Sequence, residues 1–280
     1  MIVNNGKCAG VETKYCIFNS KSVVIATGTF LKGLIHIGMH SESGGRFGDN
    51  SSFLSDSLAN IGFEIGRFKT GTPPRINRNS IDFSKLEPQF GDENIQWFSF
   101  ETDPNFPPTP FCCLNSEFDN EKQFENIKFH VEQNLKLWPW FPREQIHCWI
   151  TYTNKKTAEI IFKNIDKSPL YSGIIKGIGP RYCPSLEDKI IKFSDKERHQ
   201  IFLEPEGFNT DEMYVNGCAT SLPFDIQYQF LKTIPGLENV EIMRPGYAIE
   251  YDFCPPHQIT RSLECKIIEN LFFAGQINGT

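Results

Sequence analysis

The stretch Lys21–Phe30, KSVVIATGTF, is the part of the sequence that decides the fold. Its β-branched centre predicts a buried strand ending at Ala-Thr-Gly, where a small residue lets the backbone approach a ligand closely. A second apolar run, Leu271–Gly275 (LFFAG), also ends in glycine. Parallel sheets bury such runs and bind ligands beyond the carboxyl ends of their strands. Either run alone is weak, but together they predict a dinucleotide-binding α/β sheet interrupted by an inserted domain.

Length and composition are those of an ordinary globular protein. The chain has 280 residues, of which 39% are hydrophobic and 22% charged, and its net charge is −6. Contact with nucleic acid would therefore need a local basic patch. No apolar run approaches the ~20 residues that span a bilayer, and the N-terminus does not have the pattern of a signal peptide. Nine cysteines without a CxxC pair predict reduced thiols, and the histidine spacing predicts no metal site.

The run Gly179–Phe193, GPRYCPSLEDKIIKF, combines loop-forming residues with reactive ones. Pro180 and Pro184 exclude a regular helix or a central strand from its first half, so we expect an ordered loop there. Cys183 lies beside Arg181, and a cationic neighbour lowers the pKa of a thiol. Cys183 is therefore a candidate nucleophile, with a packing role as the alternative.

Two other stretches are candidates for phosphate binding. Ser43–Asp49, SGGRFGD, joins a glycine-rich turn to Arg46, although a plain turn is the commoner role of such a sequence. Gly66–Ile76, GRFKTGTPPRI, begins a basic run that contains no acid. Its cations are Arg67, Lys69, Arg75 and Arg78. We expect them to contact phosphate groups, with a solvated charged face as the alternative.

Several polar residues are candidates with a structural alternative. Gln276 and Asn278 follow the second apolar strand and are placed to meet a bound ring. Two acid pairs could perform acid–base chemistry, or else form structural ion pairs or caps. They are Glu204 with Glu206 and Glu250 with Asp252.

Helical periodicity appears in four places. Ser55–Gly62 has apolar residues at helical spacing and a glycine suited to the C-terminal cap. Asn154–Ile165 and Asp225–Ile234 show similar patterns. Phe124–Leu137 predicts an amphipathic helix within the proline-bracketed stretch Asp103–Gln145.

The chain closely resembles one family over most of its length, from about Val23 to Thr280. The family is MnmG, or glucose-inhibited division protein A, the flavoprotein subunit of the tRNA wobble-uridine modification enzyme. The stretch Asp103–Gln145 has no counterpart in it and looks like an insertion. The runs that carry the resemblance are Gly28–Gly38, Ser43–Asp49, Gly66–Ile76, Gly179–Phe193, Ile201–Gly207, Thr220–Gln227, Arg244–Asp252 and Leu271–Thr280.

The resemblance implies an α/β fold: a partial FAD-binding flavoprotein fold with an inserted α+β domain. It places a partial FAD-binding domain at residues 1–75, the inserted domain at 76–240 with its insertion at about 103–145, and a truncated return to the FAD-binding domain at 241–280. The phosphate-binding motif GxGxxG is absent, and in the family it precedes the matched segment. The sequence thus resembles a piece of the family chain cut at both ends, and we expect it to bind FAD poorly by itself.

The implied activity is attachment of a carboxymethylaminomethyl group to C5 of the wobble uridine, U34, of tRNA. FAD and NADH would be the cofactors, with a folate-derived one-carbon unit as co-substrate. The implied partners are tRNA and a GTPase subunit, in a homodimeric protein of the cytoplasm, or alternatively of mitochondria. The alternative function is a non-catalytic, truncated protein that binds tRNA or a protein partner.

The resemblance also assigns roles to individual residues. Cys183 would be catalytic, its thiolate adding to C6 of uracil or resolving a flavin adduct. Ser52, with Ser51 as the alternative, and Gln276 would contact FAD. By their position, and not by the resemblance, we expect Arg75 and Arg78 to contact RNA, because they lead into the inserted domain, whereas Arg67 and Lys69 lie nearer the FAD-binding sheet. The implied nicotinamide-binding segment consists of Gly179, Pro180, Arg181, Tyr182, Cys183, Pro184, Ser185, Leu186, Glu187, Asp188, Lys189, Ile190, Ile191, Lys192 and Phe193.

Overall fold

The parallel pair of strands expected from the sequence is present. In the computed structural model, strand β4 (Val23–Ile25) pairs in parallel with strand β15 (Leu271–Phe273), and Val23 lies opposite Leu271. β4 is shorter than Lys21–Phe30, because the chain turns at Gly28, which has a left-handed φ of 56°. The structure describes residues 1–91, 146–179, 184–207 and 209–279.

These residues belong to two compact units. The larger unit consists of Met1–Glu87 and Ile150–Thr280, and the smaller one spans Pro88–Trp149. In the smaller unit the ring of His147 lies 4.8 Å from that of Phe90 and 4.9 Å from that of Trp149. The helix predicted at Phe124–Leu137 and the insertion predicted at Asp103–Gln145 lie outside the described residues.

Three further sheets accompany the parallel pair. One contains, in order, β1 (Ile2–Asn4), β2 (Lys7–Glu12) and β3 (Ile17–Asn19). The second is antiparallel, in the order β6 (His40–Ser43), β5 (Leu34–Ile37), β14 (Tyr247–Phe253) and β7 (Gly66–Thr72). The third has the order β13 (Ile242–Arg244), β8 (Arg75–Asn77), β12 (Glu212–Asn216), β11 (Gln200–Pro205) and β10 (Cys148–Tyr152). Strand β9 (Glu87–Gln89) begins at the end of the first segment of the larger unit.

Of the four α-helices in the described ranges, three begin and end close to the residues expected from the sequence, and the one that begins at Leu186 was not predicted. Helix α1 (Leu54–Ile61) ends at Gly62, whose φ is 111° and whose N–H bonds the carbonyls of the last turn, as a C-terminal glycine cap does. The others are α2 (Lys155–Lys163), α3 (Leu186–Lys192) and α4 (Phe224–Leu231). Short 3₁₀ helices lie at Arg78–Ser80, Phe83–Lys85, Ile165–Lys167, Pro256–Gln258 and Gly275–Asn278. Across the described ranges, none of the helices has the length and apolar character needed to cross a membrane.

One apolar core fixes the parallel pair in place. Leu31, Leu58, Leu271 and Phe273 are buried together, and the ring of Phe63 lies 5.2 Å from that of Phe273. Burying such side chains contributes about 1.5–3 kcal/mol each. Helix α1 is thereby held against β15, and the carboxyl ends of both parallel strands are positioned by the same core.

Candidate functional site

The carboxyl ends of the two parallel strands meet. β4 is followed by Ala26, Thr27 and Gly28, and β15 by the 3₁₀ turn Gly275–Asn278. A Cβ atom added to Gly28 would lie 3.7 Å from Oε1 of Gln276, so the two segments are neighbours. Nε2 of Gln276 donates to the hydroxyl of Tyr251 at 3.4 Å, a long bond that leaves the amide weakly held.

Two buried polar atoms at these strand ends have no partner. Thr27 Oγ1 and Asn278 Oδ1 form no hydrogen bond with any residue that the structure describes. Buried polar atoms in native proteins are nearly always bonded, so each of these atoms suits a polar group supplied by a ligand. Gly275 leaves room for one, since its φ is 75° and no atom of the described ranges lies within 4 Å of an added Cβ. The residues present therefore fit a cofactor bound beyond the strand ends.

Ser52 lies at the start of α1 and is tied to the strand-end segment by its backbone. Its N–H donates to Phe30 O at 2.7 Å, and its carbonyl accepts from Lys32 N–H. Its hydroxyl accepts a long bond from Leu54 N–H at 3.3 Å. Ser51 Oγ lies 2.7 Å from Ser43 Oγ and so already has a side-chain partner.

In the glycine-rich turn Ser43–Asp49, the positive charge of Arg46 is neutralised by an acid of the same turn. Arg46 Nε donates to Asp49 Oδ2 at 2.8 Å, and both side chains are exposed. This internal pair favours the plain turn over a phosphate site.

Arg67 is engaged by an acid on the neighbouring strand. Register places Arg67 of β7 opposite Asp252 of β14, and Arg67 Nη1 donates to Asp252 Oδ1 at 2.7 Å. Arg67 Nη1 also donates to Lys32 O at 3.1 Å. Such a half-buried, charge-assisted bond holds the guanidinium in place.

Glu250 connects three elements from a buried position on β14. Its Oε2 lies 2.9 Å from His36 Nε2, and its Oε1 accepts from the N–H groups of Lys176 and Gly177 at 3.0 and 2.8 Å. His36 Nδ1 lies 3.1 Å from Ser41 Oγ. A neutral imidazole protonated on Nε2 satisfies both contacts, donating to Glu250 and accepting from Ser41. These bonds favour the structural interpretation of the Glu250 and Asp252 pair.

The run Gly179–Phe193 is anchored on both sides of residues 180–183, which lie outside the described ranges. Upstream, Ile178 forms a parallel bridge with Phe68 of β7. Downstream, the side chain of Ser185 accepts from Asp188 N–H while Asp188 receives the Ser185 N–H, a capping box that begins α3. Leu186 N–H also donates to Ala219 O at 2.7 Å.

Glu187 is fully buried with one carboxylate oxygen unpaired. Oε1 accepts from Thr220 Oγ1 and Ser221 N–H, whereas Oε2 has no partner among the described residues. Burial raises the pKa of this carboxyl, against the lowering effect of its hydrogen bonds. The protonated form of Glu187 is therefore favoured, and Glu187 belongs to the segment that the sequence predicts to bind a nicotinamide.

The two remaining arginines of the basic run differ. Arg75 donates to Glu206 Oε1 at 2.7 Å, and its guanidinium lies 4.6 Å from the ring centroid of Tyr214. Arg78 is exposed, 6.0 Å from the ring centroid of Phe83. Arg78 is thus the more accessible to an external phosphate.

Three of the six described cysteines are unsuited to nucleophilic chemistry. Burial raises the pKa of Cys218, Cys254 and Cys265 to about 12, so these thiols stay protonated at neutral pH. The candidate nucleophile Cys183 lies outside the described residues. No group of three or more His, Cys, Asp or Glu side chains in the described ranges could hold a metal ion.

Sequence reasoning missed two residues of these sites. Thr27 lies in the strand-end tripeptide Ala-Thr-Gly, in which only the glycine has a conformational signal, and no neighbouring residue in the sequence indicates that its hydroxyl is unpaired. His36 has a signal only in retrospect: it is the one polar residue in the apolar run Leu34–Ile37.

Comparison with known proteins identifies relatives over the whole chain. The sequence profile of the family described as glucose inhibited division protein A matches residues 1–136 and 125–280. A protein of Thermodesulfovibrio yellowstonii named tRNA uridine 5-carboxymethylaminomethyl modification enzyme MnmG is 52% identical, and one of the same name from Geobacter sulfurreducens is 50% identical. Each alignment covers 100% of this chain and 39% of the relative, so the chain spans about two fifths of the length of these relatives.

Two solved structures of Aquifex aeolicus GidA have the same fold. The form II crystal structure matches with a TM-score of 0.79 and 46% identity, covering 100% of this chain and 40% of that one. The form I structure matches with a TM-score of 0.80 and 48% identity, covering 100% and 42%. The predicted α/β fold class is confirmed, and the chain belongs to the glucose inhibited division protein A family.

Proposed function

We propose that this protein takes part in attaching a carboxymethylaminomethyl group to C5 of the tRNA wobble uridine, in a reaction that depends on FAD. The observation that carries the proposal is an identity of 47–52% with five proteins named for that modification, over the entire chain. The unpaired polar atoms at the ends of β4 and β15 support it, because a flavoprotein of this fold binds its cofactor there.

FAD is the proposed cofactor of these strand ends. Gln276 and Ser52 are the proposed contacts, and the unpaired Thr27 Oγ1 and Asn278 Oδ1 offer two more. FAD, when bound, supplies the redox chemistry. The residues of this chain bind and orient it. Residues 1–75 and 241–280 are the proposed FAD-binding domain, and residues 76–240 the inserted domain.

NADH is the proposed partner of the run Gly179–Phe193. Two anchors support this role: the bridge of Ile178 to β7 upstream, and the capping box of Ser185 and Asp188 downstream. Anchored residues on either side of a ligand lose less conformational freedom when the ligand binds, which lowers the entropic cost of binding.

Cys183 is the proposed nucleophile. Its thiolate would add to C6 of the target uracil, forming a C–S bond while the C5–C6 electron pair moves to the enolate, so that C5 can attack an electrophilic carbon. Loss of the C5 proton and expulsion of the thiolate would restore the ring. Arg75 and Arg78 are the proposed tRNA contacts. We further propose that the protein forms a homodimer, acts together with a GTPase subunit and is located in the cytoplasm.

Nucleoside analysis tests the proposal directly. The gene, expressed at the full length that it encodes, should restore the modified uridine in a bacterial strain whose own gene for this step is deleted. Cys183→Ser should abolish the modification with tRNA affinity near that of the wild type, whereas the exposed-cysteine control Cys16→Ser should remain active. A folded protein that binds tRNA and leaves it unmodified would instead support the non-catalytic alternative.

A further inference from the structure

The four cations of the basic run differ in what neutralises them. Arg67 bonds Asp252, Arg75 bonds Glu206, and Arg78 is exposed to solvent. Lys69 is only 4% exposed, and its Nζ forms no ion pair or hydrogen bond with any residue that the structure describes. We propose that Lys69 binds a phosphate group of a ligand, at the junction of β7 with the segment Lys176–Gly179.

The burial of Lys69 is the first step of the argument. The side chain is almost wholly buried, and its ammonium keeps only a narrow contact with water. An ammonium group that loses most of its water without gaining a partner is unfavourable. Lysines in native proteins are therefore almost never fully buried unless they are paired. A phosphate oxygen would supply the missing charge and hydrogen bond together, and lysine is a common phosphate ligand.

The acid that lies opposite Lys69 in the sheet does not supply the missing hydrogen bond. Glu250 of β14 lies directly opposite Lys69 of β7. Its Oε2 is turned to His36, and its Oε1 to the amides of Lys176 and Gly177. Glu250 can favour a positive charge on Lys69 through space, but its hydrogen-bonding capacity is directed to other groups.

The surroundings of Lys69 place it beside the proposed nicotinamide segment. Lys69 N–H donates to Ile178 O at 3.0 Å. A Cβ atom on Gly177 would lie 2.9 Å from the carbonyl of Phe68, so this segment rests directly on β7. At Gly179 an added Cβ would meet, among the described residues, only Lys69 O, at 4.0 Å. The described part of the chain is thus packed more tightly at Gly177 than at Gly179.

The inference rests on the proposed function only for the identity of the ligand that carries the phosphate group, which is NADH, FAD or tRNA. All three carry phosphate groups, so the chemistry at Lys69 is the same for each. The source can be separated by measuring each ligand in turn.

The test compares Lys69→Met, which keeps the shape and removes the charge, with Lys69→Arg, which keeps the charge. The exposed lysine of α2 provides the matched control Lys163→Met. Calorimetry on the full-length protein would measure affinity for inorganic pyrophosphate, NADH, FAD and tRNA. We expect Lys69→Met to weaken pyrophosphate and one of the other ligands roughly 10- to 100-fold, the value of a charge-assisted bond. Lys69→Arg should retain part of that affinity, and Lys163→Met all of it.

The outcomes separate cleanly. The ligand that loses affinity in Lys69→Met names the source of the phosphate. The melting temperature of the ligand-free protein should be unchanged or higher in Lys69→Met, because an unpaired buried charge is removed. Unchanged affinity for all four ligands, or no binding of any by the wild type, overturns the inference. The protein could fail to restore the modified uridine while Lys69→Met still weakens the binding of pyrophosphate. That result would refute the proposed function and leave the inference about Lys69 standing.

Discussion

Buried polar groups are hydrogen-bonded in the sheet around β14, whereas two of them lack a partner at the ends of β4 and β15. In the sheet, Glu250 satisfies His36 and two backbone amides, and Asp252 satisfies Arg67. At the strand ends, Thr27 Oγ1 and Asn278 Oδ1 have no partner among the described residues. Closed networks hold a fold together, whereas unpaired buried atoms indicate where a ligand completes the structure. The contrast separates structural from functional candidates more sharply than residue type does.

The largest effect should come from breaking the closed network. Glu250→Ala leaves His36 and the amides of Lys176 and Gly177 without their acceptor, and should lower the free energy of unfolding by about 3–5 kcal/mol. Glu64→Ala is the matched control, because Glu64 forms an exposed pair with His257 at 3.2 Å and should change stability by less than about 1 kcal/mol. Denaturant unfolding measures both. Equal losses in the two variants would show that the network is not cooperative.

A pair of threonines sharpens the comparison. Thr157 Oγ1 is buried and bonded to Asn154 and Thr233, so Thr157→Val should cost about 1–3 kcal/mol. Thr27→Val removes an unpaired hydroxyl and should leave the ligand-free protein as stable as before, within about 0.5 kcal/mol. In the protein expressed at full length, its FAD affinity should fall by about tenfold, because the proposed bond between the hydroxyl and the cofactor is lost. A loss of ligand-free stability in Thr27→Val would mean that the hydroxyl has a partner within the protein.

Glu187 provides a test by pH. Its pKa is raised in the folded state, so the folded protein binds the proton more tightly, and stability falls as pH rises from the unfolded pKa toward the folded one. Glu187→Gln removes this titration. Unfolding free energies measured from pH 4.5 upward should therefore diverge in favour of the variant. Parallel curves for the two proteins would contradict the assignment of a protonated, buried carboxyl.

The smallest effect is expected at the exposed pair of Arg46 and Asp49. Arg46→Gln should lower stability by about 0–1 kcal/mol and leave FAD and tRNA affinity unchanged, because the guanidinium is already neutralised within its turn. Thermal melts and ligand titrations check this. A clear loss of affinity for either ligand would return Ser43–Asp49 to the candidate phosphate sites.

Local features were predictable from the sequence, and pairings between distant residues were not. The parallel pair and α1 with its Gly62 cap follow from apolar runs and glycine positions. The partner of Arg67 lies 185 residues away, and only the register of β14 on β7 reveals it. That register separates Lys69 from the three arginines, which look equivalent in sequence. The assignments of Ser52, Gln276 and Gly179–Phe193 to cofactors stay predictions.

The parallel pairing of Val23 with Leu271 also bears on how the protein is made. Residues 26–270 must be synthesised between these two strands, which at about 5–20 residues per second takes on the order of ten to fifty seconds. During that time β4 has no partner from β15, and its buried Ile25 must be shielded in some other way. Loops this long make pairing slow and leave apolar surface open to aggregation. These strand ends thus come together only after Phe273 has been synthesised, so a cofactor that needs both of them cannot be bound earlier.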